Sequence, residues 1–71
     1  MILSKANVGY TGNVLKVDGK EKMKKFLFSL GCYEGQEITL VSILGGNFIV
    51  NIKDSRYAID EAMAKNIVLA E

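Results

Sequence analysis

The apolar positions of this chain change period once. They alternate with polar ones from Asn13 to Val17 and again between Glu37 and Lys53, the period of a strand, whereas in KEKMKKFLFSLGCYEG, Lys20 to Gly35, they fall three and four residues apart. That spacing predicts a helix over about 20–31. Met23, Phe26, Leu27 and Leu30 stand at i, i+3, i+4 and i+7, so the helix would carry all four on one stripe toward the core, with Lys22, Lys24 and Lys25 outside it. Gly31 follows the last apolar position, where a positive φ commonly ends a helix, and Gly35 makes the bend that delivers the chain into Glu37-Ile38-Thr39-Leu40. Phe28 falls between Lys24 and Lys25 on the helical wheel. It is either covered by a loop or the terminal strand, or it is an aromatic anchor ringed by lysines, as partner surfaces are often built.

Around the helix the pattern is strands and turns. Leu3 reads as an anchor against the barrel floor, and Gly9 and Gly12 bracket a turn or bulge leading into Asn13–Val17. There, simple alternation puts Val14 on one face and Leu15 with Val17 on the other. Asp18-Gly19 is a turn signal. After Gly35 the phase moves from Ile38/Leu40 to Val41/Ile43, which predicts a bulge near Leu40, and either Gly45-Gly46 or Gly46-Asn47 closes a hairpin spanning Glu37 to Lys53. Asp54-Ser55 reads as the next turn, before a strand through Arg56-Tyr57-Ala58-Ile59. Asp60 is placed to cap a short helical turn over about 61–65, and Ile67-Val68-Leu69 closes the sheet. Five to six strands with one inserted amphipathic helix and one helical turn predict a mainly β, partly open barrel of SH3-like type, a single domain over 1–71. A five-stranded oligonucleotide-binding barrel is the rival, but its helix usually lies between the third and fourth strands.

Composition narrows the chemistry. In 71 residues the core is thin and a deep substrate cavity is not expected. No run reaches the length of a membrane span, so membrane contact would come through a partner, and the absence of a signal peptide pattern with a single cysteine points to a cytoplasmic, reducing setting. Net charge is +1, but residues 1–31 carry +4 and residues 32–71 carry −3, with five of the nine basic side chains between Lys16 and Lys25. One end of the molecule is therefore basic. The Lys16–Lys25 region keeps a nucleic-acid-binding barrel as an alternative, although the low net charge argues against it. A peptide-binding adaptor using Tyr10, Tyr33 and Tyr57 is another, against which stands the lack of Trp.

Catalytic chemistry finds no footing. Cys32 has no base beside it, and Glu34 would oppose a thiolate. Asp60 and Glu61 are adjacent on a helix end and do not face one another. Gly9-x-x-Gly12 lacks the remainder of a dinucleotide or phosphate-loop signature. With no histidine and one cysteine, no metal-ligand set and no cofactor are expected.

Taken together, Gly9-x-x-Gly12-x-Val14, the basic amphipathic helix running into Leu30-Gly31-x-x-x-Gly35, the strand Ile38-x-Leu40, Arg56-x-Ala58-Ile59, and Ala64-x-x-Ile67-x-Leu69 resemble the FeoA family, small bacterial proteins that accompany the ferrous iron transporter FeoB. The resemblance runs from about Leu3 to Leu69. It implies a cytosolic SH3-like accessory protein, not an enzyme, that supports ferrous iron uptake and iron homeostasis by contacting the cytosolic part of FeoB; its link to transition metal ions is at family level. Self-association is compatible with it and nucleic acid is not expected. Three positions depart from the family pattern: Glu34 stands where proline is usual, Lys24-Lys25 where arginines are frequent, and the hairpin tip is compressed to Gly45-Gly46-Asn47. Lys22, Lys24, Lys25, Phe28 and Tyr33 are the residues expected to meet the partner. Gly9, Gly12, Leu30, Gly31, Gly35, Ala58 and Ile59 are expected to hold the frame.

Overall fold

Strand-period and helix-period residues separate in space as their spacing predicts. The computed structural model describes residues 1–70. A 3-10 turn, Leu3–Lys5, precedes β1 (Thr11–Val17), α1 (Glu21–Ser29), β2 (Glu37–Leu44), β3 (Asn47–Ile52), β4 (Ser55–Asp60), α2 (Glu61–Ala64) and β5 (Ile67–Leu69). The sheet is antiparallel in the order β4-β3-β2-β1-β5. Its margins, β4 and β5, are not neighbours, so the barrel is open on one side. The sheet nevertheless curls around one core: Val14, Ile38, Val50, Ile59 and Leu69, one from each strand, are all 2% exposed or less and belong to a single cluster, plugged by Leu3 and by Leu27 of α1. The structure is the mainly β, five-stranded form expected from the pattern.

Two bulges set the faces. Register shifts between Leu40 and Ser42 where β2 pairs with β3, as the phase change predicts, although Ile43 and Leu44 beyond it remain exposed. A second shift, between Val14 and Lys16 on β1, overturns the simple alternation expected there. The extra residue puts Val14 and Val17 together in the core and turns Leu15 out to 50% exposure.

The turns follow local chemistry. Gly45 and Gly46 have φ of +55° and +82°, the two positive values that a hairpin turn matching the strand twist requires. The β3–β4 turn sits on Lys53-Asp54, one residue earlier than the expected Asp54-Ser55, because Ile52 pairs with Ser55; Lys53 adopts φ +57° to make it. Asp60 caps α2 as its position suggests, its Oδ1 accepting from the Met63 amide at 2.9 Å.

The helix stripe is the main departure. Leu27 is fully buried and Met23 and Leu30 pack partly against the core, but Phe26 is 46% exposed. A nine-residue helix laid across a small barrel presses one line of side chains inward. Phe26, a turn of about 100° from Leu27, lies on the flank instead of in the core.

Candidate functional site

α1 begins after Lys20, which serves as its N-cap in extended conformation, and carries Glu21 in its first turn, where the positive end of the helix dipole favours a carboxylate. It ends at Leu30, followed by Gly31 at φ +95°. The corner beyond it is sewn to its surroundings through the backbone: the Cys32 amide donates to Leu27 at 3.0 Å, and the Gly35 amide donates to the Val14 carbonyl at 2.8 Å. Gly35 itself has φ +88°. The C-terminal end of the helix is thus tied down, while Phe26, Phe28 and Lys25 on its surface stay exposed.

Two surfaces result. On the outer side, Phe28 is 44% exposed, four residues from Lys24 and three from Lys25, so the ring and the two lysines share a face. Lys25 is exposed and Lys24 half-buried. Tyr33 lies past the end of the helix, its ring under the Lys53 ammonium at 5.0 Å, a cation–π contact that orders the corner. The other surface is a groove of about 770 Å³ between α1 and α2, to which Lys22 contributes together with Met23, Phe26 and Met63. Of the residues expected to meet a partner, Lys24, Lys25 and Phe28 stand together on the outer face. Lys22 lies on the groove side, and Tyr33 on the corner with Lys53.

The groove escapes sequence reasoning because its walls are 36 or more residues apart in the chain. At its base Asn66 joins them, its Nδ2 donating to Met23 Sδ at 2.9 Å and to the Ala62 carbonyl at 3.1 Å. Gly19 gives Asn66 this room: it has φ +102°, and a Cβ there would lie 2.9 Å from Asn66 Nδ2. The one visible signal is that Met23 and Phe26, three apart, form the edge of the helical stripe rather than its centre.

The framework glycines and strand residues have structural tasks. Gly9 has φ +96°, and Gly12 leaves space for the Tyr10 ring, which a Cβ would meet at 2.7 Å. Ile59 is buried while Ala58 beside it faces outward.

Cys32 is fully buried, and desolvation pushes its thiol up to about 11, the reverse of what a nucleophile needs. Among the described residues no three Asp, Glu, Cys or His side chains gather to hold a metal ion. No helix among them is long and apolar enough to cross a membrane. Lys16 of the basic region lies 3.6 Å from Asp18, its charge partly offset.

A family model, the FeoA domain, matches residues 1–71. No curated protein sequence is significantly similar. Among solved structures, an iron uptake regulatory protein (FeoA) is similar at 25% identity over 96% of this chain and 90% of its own, with a TM-score of 0.88. FeoA of Stenotrophomonas maltophilia, solved with zinc and described as a procaryotic SH3 domain protein, is also 25% identical, over 99% of this chain and 89% of its own, with a TM-score of 0.85. A manganese-dependent transcriptional repressor in complex with manganese shares the fold at a TM-score of 0.91 and 18% identity, over 99% of this chain but 35% of its own.

Proposed function

The chain belongs to the FeoA family, and from that premise we propose that residues 1–71 act as one domain on the cytoplasmic side of the membrane, as a non-enzymatic accessory to ferrous iron transport that docks on the cytosolic part of the transporter FeoB. The family is associated with iron transport, and the FeoA of Stenotrophomonas maltophilia is described as possibly acting as a ferrous iron transport activating factor. The observation that carries the docking reading is on α1: a helix of nine residues leaves two phenylalanines, Phe26 and Phe28, close to half exposed among lysines. Exposed rings of this size within a basic surface favour burial against a partner, with charge steering the encounter and the rings supplying most of the affinity.

Amide-shift titration of the labelled protein with the cytosolic part of FeoB tests this. Saturable shifts are expected over Lys22–Gly35, with weaker binding for Phe28→Ala and for Lys24→Glu combined with Lys25→Glu. Shifts confined to the β2–β3–β4 hairpins, or no binding, would overturn it.

A further inference from the structure

The groove between α1 and α2 is lined by apolar side chains and by lysines from both of its walls. Its floor is Met23, Phe26 and Met63, and its volume of about 770 Å³ falls within the range of clefts that hold ligands, roughly 300–1,000 Å³. Three lysines also line it, Lys20 and Lys22 on the α1 side and Lys65 just past α2. Among the described residues no acidic side chain lines it, and none of the three lysines forms an ion pair with another of them. An occupant with an apolar stripe and carboxylates at its margins would cover the apolar lining and offset the three like charges.

The shape of the walls selects among such occupants. Every lining residue comes from α1, α2 or the loops beside them and none from a strand, so an extended peptide would find no sheet edge to pair with. The three lysines come from both walls, so a fatty acid with one carboxylate would leave most of the charge uncompensated. A second copy is a poor fit as well: α1 is itself lysine-rich, and α2 has four residues. The thioethers of Met23 and Met63 are flexible and polarisable, suited to adapting around inserted aliphatic or aromatic side chains.

We infer that the groove receives an acidic amphipathic helix, whose apolar side chains enter between Met23, Phe26 and Met63 while its flanking carboxylates meet Lys20, Lys22 and Lys65. This rests on the docking reading above in taking the helical side of the molecule as the partner surface, and it names the chemistry of the segment that binds there.

The test follows the methyl groups of the full chain by NMR. Met23 and Met63 report from the groove, and Met1, which does not line it, is the reference. The probe is a synthetic peptide of about 14 residues, roughly four helical turns, with Leu and Phe at i, i+3, i+4 and i+7 and Glu on both flanks. Saturable shifts at Met23 and Met63 are expected with this peptide, with affinity falling at least about tenfold as salt is raised past the screening range. A Glu-to-Lys version and a scrambled version should not bind. Lys22→Glu combined with Lys65→Glu should reverse the preference toward the lysine peptide, and Phe26→Ala should weaken binding while the core methyls of Leu27 keep their native shifts. Equal binding of all peptides, shifts with sodium laurate alone, or Met23 and Met63 shifts that track protein concentration without peptide would each overturn the inference. If the cytosolic part of FeoB binds without moving these methyls, the docking reading stands and the groove assignment falls; if the acidic helix binds the groove but FeoB does not, the reverse holds.

Discussion

Replacing Leu27 and Phe26 separately by alanine discriminates a core side chain from a docking side chain on the same helix. Leu27 is fully buried, and emptying such a site in a packed core typically costs about 3–5 kcal/mol, transfer and cavity terms together. Phe26 keeps 46% of its surface in water, so truncating it forfeits only about half of the roughly 1.5–3 kcal/mol of full burial, on the order of 1 kcal/mol. A chain of this length has a total stability of about 4–10 kcal/mol, so Leu27→Ala removes a third of it or more. In urea, with a slope of about 1 kcal/mol/M for a small domain, the midpoint should fall by about 3 M or the cooperative transition disappear for Leu27→Ala, and fall by about 1 M or less for Phe26→Ala. Far-UV circular dichroism with intrinsic tyrosine fluorescence reads both. A Phe26→Ala midpoint as low as that of Leu27→Ala would refute the reasoning, because it would place Phe26 in the core as the helical stripe alone suggests.

Two further outcomes follow from the packing. Gly19→Ala must hold a side chain at φ +102° and push Asn66 from its bonds to Met23 and Ala62, so a loss of about 2 kcal/mol in urea unfolding is expected, together with a shift of the Met23 methyl; an unchanged Met23 resonance would show that Asn66 does not join the two helices. Burial raises the Cys32 thiol from 9.0 to about 11, so the folded state holds that proton more tightly than the unfolded one. The resulting stabilisation is complete below about pH 9 and is lost as pH rises toward 11, because the unfolded chain ionises first; the parent should lose stability relative to Cys32→Ala in that window and nowhere else, and maleimide labelling at neutral pH should be limited to transiently opened molecules. Rapid labelling of the native protein would contradict the burial of this thiol.

Much of the framework was legible because it depends on residues close together in the chain. The hairpin at Gly45-Gly46 needs two positive φ values and has two glycines, the cap at Asp60 needs an acceptor three residues before an amide, and the bulge after Leu40 shows as a break in alternation. The bulge on β1 left no such trace. Val14, Leu15 and Val17 are all apolar, so the chain is equally compatible with either phase, and only pairing with β5 selects the one that buries Val14 and Val17.

The local pattern by itself determined the order of strands and helices, the glycine hairpin turn, and a lysine-bearing helix that ends at glycine, while it placed the β3–β4 turn one residue late. Whether Phe26 belongs to core or surface, and whether Met23 and Met63 belong to one surface at all, were decided only when the sheet closed around the side chains that now fill it. The physical reason is volume: the strands and Leu27 occupy the small interior, so the edge of the helical stripe is left outside, where α2 arrives from the far end of the chain to make it one wall of a groove.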